Sequence, residues 1–204
     1  MKVVIIGATG LIGKAVAALL TDKGHETVEV SRTTQPGVDL DDPTSINSFY
    51  KALGEVDAII CAAGRRADGN GPLAELSNEA IDSAVRGKLV GQVNLVRQGL
   101  SNVRPGGVFI LTGGMSAYAL IPKMSANAMV NAGLEGFVRH AALDLQDGKR
   151  IVIVHPSPVR EAVIQLGMDG ARFPDAAKVA AAYLKALEDT NTGQPVFVEG
   201  YGPQ

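Results

Sequence analysis

A glycine-rich turn near the start of the chain constrains its fold more than any other feature. The apolar residues 2–6 lead into Gly7, Gly10 and Gly13, and an apolar helical pattern continues over residues 14–20. This order predicts a strand, a tight turn and a helix. Glycine permits a positive φ and carries no Cβ, and the first turn of a helix offers unpaired N–H groups to a pyrophosphate. We therefore predict that a dinucleotide contacts the turn at Gly7, Thr9, Gly10, Leu11, Ile12 and Gly13.

Length and composition indicate one domain over residues 1–204. The 204 residues are 46% hydrophobic and 20% charged, enough for a substantial core. A formal net charge of −2 gives no reason to expect nucleic acid or an anionic membrane surface as a partner. We expect no membrane span and no signal peptide, because the apolar runs are short and interrupted. One cysteine, and histidines without metal-ligand spacing, lead us to expect a cytoplasmic protein with no disulfide and no metal.

Predicted strands and helices alternate along the rest of the chain. Further strands are predicted at residues 26–31, 37–40, 56–61, 108–112, 150–155 and 194–198, and further helices at 42–53, 77–100, 125–146 and 175–187. Such alternation is typical of an α/β fold, a parallel sheet with helices on both faces. Right-handed crossovers give one doubly wound Rossmann sheet with the strand order 3-2-1-4-5-6-7. Residues 160–174 lack a clear pattern and are expected to form a mobile flap over the site.

The residues that follow two of these strands bear on the identity of the dinucleotide. Ser31, Arg32 and Thr33 offer a guanidinium and hydroxyls, which suit the 2′-phosphate of NADP. Glu29 is close to the position of the acid that binds the ribose of NAD, so NAD remains the less favoured alternative. After the fourth strand, small residues would let the backbone approach the cofactor, namely Ala62, Ala63 and Gly64. Close packing alone would also favour such small residues.

This succession of features resembles the short-chain dehydrogenase/reductase family over nearly the whole chain. Besides the glycine turn, Asp39-Leu40 matches the adenine edge, and Cys61-Ala62-Ala63-Gly64 stands in place of Asn-Asn-Ala-Gly. His155-Pro156-Ser157-Pro158-Val159 resembles a Pro-Gly-Pro-Val stretch, and Thr192-Gly193-Gln194 precedes the last strand as in the family. The resemblance implies a nicotinamide cofactor and a small carbonyl or alcohol substrate. It also implies cofactor contacts at Asp39, Leu40, Pro156 and Val159.

The catalytic residues of the family do not carry over. Alignment of the helix at residues 125–146 puts Asn127 and Asn131 at the positions of the family's Tyr and Lys, and Gly114 at that of its Ser. An amide is no proton donor near neutral pH. Conversely, Lys88 stands where the family has an asparagine. A desolvated Lys88 beside NADP would have a lowered pKa and act as acid or base.

Other residues have secondary roles in this hypothesis. Asn131 would hold the ribose hydroxyls of the nicotinamide, Lys88 would also contact the cofactor, and Tyr118 is a second candidate for the missing phenol. Arg65, Arg66 and Arg160 are weaker candidates for the rim of the pocket. The small residues of the two long helices, Ala132 and Gly133 among them, together with the family resemblance, imply a homodimer or homotetramer.

Three functions remain open at this stage. The first is an NADPH-dependent oxidoreductase with a rearranged proton-transfer group. The second is a catalytically silent NADP-binding protein, such as a redox sensor or a partner subunit, which the loss of the three catalytic residues favours. The third, a nucleotide-sugar epimerase or isomerase, ranks last because the chain is short for the substrate lobe of such enzymes.

Overall fold

Six parallel strands form one sheet in the order β2-β1-β3-β4-β5-β6 in the computed structural model, which describes residues 1–64 and 70–203. The strands are β1 (Lys2–Ile6), β2 (Glu26–Val30), β3 (Val56–Cys61), β4 (Val103–Thr112), β5 (Arg150–His155) and β6 (Pro195–Phe197). The described helices are α1 (Leu11–Asp22), α2 (Pro43–Leu53), α3 (Asn78–Ala84), α4 (Gly91–Gly99), α5 (Ser125–Asp144), α6 (Arg160–Gln165) and α7 (Ala176–Glu188). The predicted doubly wound α/β fold with helices on both faces is thus confirmed.

One predicted strand is wrong. Residues 37–40 form no strand, so the sheet lacks the seventh strand expected at its edge. The hydrogen bond from Val38 N to Ser31 O turns the chain back, and Asp39 N donates to Ser45 Oγ rather than to β2. Val38 and Leu40 are nevertheless buried. Their alternation therefore reflects a loop that packs its apolar residues onto the core, a pattern that a short strand shares.

The sheet is buried because helices cover both faces. Alternate side chains of a strand point to opposite faces, so Val3 and Ile5 pack in one core layer and Val4 and Ile6 in the other. The first layer includes residues of α1 and α7, and the second includes residues of α2, α4 and α5. This packing fixes the carboxyl ends of the strands relative to one another, which is where a doubly wound sheet binds its ligands.

The helical segment predicted at residues 77–100 is continuous but irregular. It begins at α3, where Ser77 Oγ accepts a hydrogen bond from Ala80 N, and continues through a π-helical stretch at Val85–Val90 into α4. A Cβ on Gly91 would lie 2.7 Å from Cβ of Leu40, so this glycine allows α4 to approach the loop after β2. π-Helical turns are frequent at functional sites. Here the turn contains Lys88.

Residues 160–174, predicted to be without regular structure, contain the short helix α6. Arg160 N donates to Pro174 O, and Arg160 Nε donates to Phe173 O. The Glu161 carboxylate accepts from Ala176 N at the start of α7. The segment is thus tied to the beginning of α7, and its mobility stays a prediction. No helix in the described ranges is long and apolar enough to cross a membrane.

Candidate active site

The glycine turn brings the ends of β1 and β3 together. Gly7 has a φ of 90°, and a Cβ there would lie 2.7 Å from Ala63 N. A Cβ on Gly13 would lie 2.1 Å from Gly7 O, so α1 can pack on the turn only with glycine at this position. The N-cap residue of α1 is Gly10, with no side-chain cap and no acid in the first turn. The helix therefore presents unpaired N–H groups and a positive dipole end at an exposed surface.

A first cavity of about 210 Å³ adjoins this turn. Eight of the predicted cofactor residues line it: Gly7, Thr9, Ser31, Arg32, Asp39, Leu40, Ala63 and Gly64. Gly87 of the π-helical turn also lines it. Glu29, the acidic residue that left NAD as the alternative coenzyme, is exposed on β2 and is not among the described residues that line this cavity.

The loop after β2 is held in shape by hydroxyl groups. Thr33 N donates to Ser31 Oγ, and the hydroxyls of Ser31 and Thr33 are 3.1 Å apart. Thr34 Oγ1 accepts from Ser31 N and donates back to Ser31 O. Arg32 is exposed at the edge of the cavity, and the described residues give its guanidinium no carboxylate within ion-pair distance. This edge therefore combines an exposed cation with hydroxyl groups.

A second cavity of about 640 Å³ lies beyond the first. Lys88, Asn131 and Pro156 line it, which brings the predicted catalytic pair together. The two cavities adjoin at Gly64, where a Cβ would lie 3.2 Å from Cγ and Cδ of Lys88. The remaining predicted cofactor residues line neither cavity in the described part of the chain: Gly10, Leu11, Ile12, Gly13, Thr33, Ala62 and Val159. Val159 is instead buried in the core.

The ammonium group of Lys88 is held by two oxygen atoms. Its Nζ donates to Gly113 O and to Asn131 Oδ1, both at 2.7 Å. An ammonium has three N–H donors, and the described residues therefore occupy two of them. Burial of the side chain lowers the pKa of Lys88 to about 8, because the charged form is poorly solvated there. Lys88 can thus gain or lose a proton near neutral pH.

Asn131 occupies the space that a catalytic serine would need. It is 4% exposed, its Oδ1 accepts from Lys88, and its Nδ2 donates to Ser116 Oγ at 2.9 Å. A Cβ on Gly114 would lie 2.8 Å from Asn131 Nδ2. Residue 114 therefore has to be glycine while this amide keeps its position. The amide oxygen accepts from Lys88, and the described residues leave one N–H of Nδ2 for the expected ribose contact.

Tyr118 does not reach the cavity. Its hydroxyl donates to the Glu135 carboxylate, and its ring packs edge-on against His155 and Phe197. Burial, followed by the contact with Glu135, raises the pKa of this phenol above its ordinary value. Tyr118 is also not among the described residues of the cavity wall. Its placement therefore argues against the hypothesis that it replaces the missing phenol.

His155 links β5 to the loop that carries Gly113. It is 0% exposed, its Nδ1 lies 3.0 Å from Gly114 N and 3.1 Å from Gly114 O, and its Nε2 lies 3.2 Å from Glu135 Oε2. Glu135 also accepts from Arg139 Nη2. Burial, as the largest effect, lowers the pKa of His155, so the native protein keeps the imidazole neutral. This cluster fixes the backbone next to Lys88.

A buried neutral histidine should make the fold sensitive to mild acid. The unfolded chain binds a proton near pH 6.5 and the native state does not, so the free energy of unfolding should fall as pH decreases through about 6.5. Denaturant unfolding at about pH 7.5 and about pH 5.5 measures this loss. The His155→Asn variant should lose less stability across this interval than the wild type. The exposed His140→Asn variant should keep the full loss, and equal behaviour of the two would contradict the assignment.

The predicted rim residues differ in their placement. Arg160 lies 3.6 Å from the Asp175 carboxylate and serves to tie α6 to the start of α7. Arg65 and Arg66 lie outside the described residues. Sequence reasoning gave Ser116 no link to Asn131 and gave Asn70 no role at all, although both line the second cavity. The position of Ser116, two residues after Gly114, is the sequence feature that could have indicated its contact with Asn131. We find no sequence feature that indicates a role for Asn70.

Comparisons with known proteins agree with the fold. The family model described as Enoyl-(Acyl carrier protein) reductase matches residues 14–194. The protein lin1944 from Listeria innocua is 34% identical, with a TM-score of 0.90 over 97% of this chain and 99% of that chain. A small-chain dehydrogenase in complex with NADPH is 25% identical, with a TM-score of 0.87 over 98% and 97%. The ligand-free aldohexose dehydrogenase of Thermoplasma acidophilum shares the fold at 19% identity, with a TM-score of 0.84 over 97% and 92%. No curated protein matches the sequence.

Proposed function

The chain belongs to the short-chain dehydrogenase/reductase family, and from that premise we propose that it is an NADP(H)-dependent oxidoreductase. It would interconvert a small carbonyl compound and its alcohol, with Lys88 as the proton-transfer group. The observation that carries the proposal is the position of the Lys88 ammonium, held by Gly113 O and Asn131 Oδ1 in the wall of the second cavity, where that cavity meets the first.

The residues of the first cavity fit a phosphorylated dinucleotide. Gly7 lets the turn pack against the backbone of Ala63 at the end of β3, and the uncapped start of α1 would offer N–H groups to the pyrophosphate. Arg32, with the hydroxyls of Ser31 and Thr33, suits the 2′-phosphate, and Asp39 and Leu40 line the adenine end. When bound, NADPH supplies a hydride to the substrate carbon. The small-chain dehydrogenase that is 25% identical is in complex with NADPH, which supports the same coenzyme here.

The chain's own contribution to the reaction is a proton at Lys88 Nζ. In reduction, the ammonium gives its third hydrogen to the carbonyl oxygen, and the C=O group gains one hydride and one proton to become an alcohol. The resulting neutral amine keeps two N–H donors, which match Gly113 O and Asn131 Oδ1. The same two acceptors therefore hold the nitrogen before and after the transfer. In oxidation the amine takes the hydroxyl proton.

Arg32 should determine the preference for NADP(H) over NAD(H). The Arg32→Ala variant removes a charge-assisted contact to the 2′-phosphate, so its Kd for NADPH should rise about 10–100-fold. Its Kd for NADH, which lacks that phosphate, should stay within about 3-fold. Calorimetric titrations with both coenzymes test this. Arg104→Ala is the matched control, since Arg104 pairs with Asp57 at the opposite end of the sheet and should leave both values unchanged. A parallel loss for both coenzymes in Arg32→Ala would contradict the proposal.

The second candidate function is a catalytically silent NADP(H)-binding protein. The observation that favours it is the replacement of the family's Ser, Tyr and Lys by Gly114, Asn127 and Asn131. The two functions separate when NADPH oxidation is followed against aldehydes, ketones and quinones. Turnover with any of them supports the oxidoreductase, whereas tight NADPH binding without turnover across the panel supports the silent protein.

We also propose that the chain forms a homodimer or homotetramer through its long helices. On α5, Met129, Ala132 and Gly133 are exposed, whereas the small residue Ala126 is buried against the rest of the chain. An exposed helix face of small and apolar residues suits the close approach of a second copy. Light scattering at micromolar protein should give at least twice the chain mass of 21.2 kDa, and a monomeric mass would overturn the proposal.

A further inference from the structure

Two carboxamides line the second cavity without taking part in the support of Lys88. Asn127, at the position of the family's phenol, is 9% exposed, and its Nδ2 donates to Asn70 Oδ1. The only other contact found for it among the described residues is a long one, from Nδ2 to Met124 Sδ at 4.0 Å. A buried amide that holds no part of the catalytic group is available for the substrate.

The hydrogen bond between Asn127 and Asn70 leaves one acceptor and one donor of these two carboxamides for a ligand. A carboxamide has a carbonyl oxygen and two N–H groups, and the bond between them uses one N–H of Asn127 and the oxygen of Asn70. Within the described residues, Asn127 Oδ1 and Asn70 Nδ2 remain. Exchanging O and N in both amides would again leave one acceptor and one donor. The pair is neutral, so it suits a group that both donates and accepts, such as a hydroxyl or a primary amide, better than a carboxylate.

The spacing along α5 relates this pair to the reacting group. Asn127 lies one turn before Asn131, so the two side chains share a helix face with Cβ atoms roughly 5–6 Å apart. Asn131 holds Lys88 Nζ, which donates to the reacting oxygen in the proposed function. A substrate that reaches both positions carries its second polar group on the carbon next to the carbonyl or on the one after it.

Most of the remaining cavity wall is apolar, and Asp169 and Arg172 add two charges of opposite sign to its described lining. Side chains of the segment from α6 to α7 and of the loop before α5 line it: Ile121, Met124, Val163, Leu166, Met168 and Phe173. Their contact with an alkyl or aryl group would supply binding free energy in proportion to the apolar area buried. The volume of about 640 Å³ admits a body larger than the two functional groups alone.

We propose that the substrate is a neutral, mainly apolar ketone or aldehyde that carries a hydroxyl or amide group α or β to its carbonyl, and that Asn127 and Asn70 bind this second group. This inference rests on the proposed oxidoreductase function. Asn127, which stands at the position of the family's tyrosine, would then select the substrate and would not transfer a proton.

The test compares 3-hydroxy-2-octanone with 2-octanone, which differ by one hydroxyl. With NADPH, the wild type should favour the hydroxyketone about 10–100-fold in kcat/KM, as expected for one or two buried hydrogen bonds. Asn127→Leu should reduce this preference to within about 3-fold of unity, and Asn70→Ala, a change at an exposed residue, should reduce it as well. The exposed Asn191→Leu variant should keep the wild-type preference. Equal use of both ketones by the wild type, or an unchanged preference in Asn127→Leu and Asn70→Ala, would overturn the inference.

A binding measurement separates this inference from the proposed function. If the wild type reduces neither ketone, the oxidoreductase proposal fails for these compounds, and calorimetry on the NADP⁺-loaded protein then decides the subsite with 2,3-octanediol and 2-octanol. At least about 10-fold tighter binding of the diol, lost in Asn70→Ala, supports the subsite. Equal binding of the two alcohols, or no binding of either, overturns it.

Discussion

Replacing Lys88 by methionine should lower kcat for NADPH-dependent carbonyl reduction by about 10²–10⁴-fold, the usual range for loss of a general acid. Methionine keeps an unbranched chain of similar length and removes only the ammonium and its hydrogen bonds to Gly113 O and Asn131 Oδ1. The Kd for NADPH should change by less than about 3-fold, because most of the proposed coenzyme contacts are at the glycine turn and Arg32. Stopped-flow or steady-state assays with a fluorescence titration measure both quantities.

The pH dependence gives an independent signature of the same group. The pKa of Lys88 is lowered to about 8, so reduction, which needs the ammonium, should be fastest below pH 8 and fall about tenfold per pH unit well above it. Oxidation of the alcohol needs the neutral amine and should rise with pH over the same interval. The exposed Lys51→Met variant should keep both profiles. Full turnover in Lys88→Met, or a reduction rate that is flat from pH 7 to pH 10, would rule out Lys88 as the proton donor.

The second large effect, on stability and coenzyme binding, should come from substitution of Gly13 at the start of α1. Substitution of Gly10 in the same turn should have a different effect. A Cβ on Gly13 would lie 2.1 Å from Gly7 O, so Gly13→Ala forces the helix away from the turn. Overpacking of this kind costs about 3 kcal/mol, and Tm should fall by roughly 6–12 °C. Coenzyme binding should be lost with the geometry of the turn. Differential scanning calorimetry and NADPH titration measure the two effects.

Gly10→Ala is the matched control within the same turn. Gly10 has a φ of −78°, and a Cβ there would lie 3.3 Å from Gly7 O, which small adjustments can accommodate. Its Tm should therefore stay within about 2 °C of the wild type. Its affinity for NADPH should still fall by about tenfold or more, because the new methyl group would stand where we propose that the pyrophosphate approaches the backbone. Similar losses of stability in both variants would show that the Gly13 contact does not limit the fold.

The fold could be predicted from the sequence where local physics determines it. The glycine turn, the apolar strands and the helix starts near residues 42 and 77 need only neighbouring residues, and they form as expected. Asp42 and Ser77 cap the two helices there. The strand expected at residues 37–40 failed because a loop packed on the core shows the same alternation. The π-helical turn around Lys88 depends on how the segment packs against α5 and the loop after β2, which no periodicity encodes.

The site was only partly accessible to the same reasoning. Alignment with the family brought Lys88 and Asn131 forward as a pair, and their side chains do meet. The alignment could not predict the path of the chain after Gly114. That path turns Ser116 toward Asn131 and Tyr118 toward Glu135, so the candidate that looked chemically equivalent to the missing phenol points the wrong way. Side-chain direction in a loop is set by long-range contacts, here with His155 and Phe197.

The close contact between residues 114 and 131 limits the evolutionary routes open to this branch. A serine introduced at Gly114 alone would push aside the amide that holds Lys88, since the added Cβ would lie 2.8 Å from Asn131 Nδ2. A lysine introduced at 131 alone would place a second cation beside the first. Either single substitution toward the family's Ser and Lys should therefore disturb the present arrangement before the family's own arrangement is complete. The effects of substitutions at Gly114, Asn131 and Lys88 should therefore be non-additive, and we expect the three residues to be retained or replaced together.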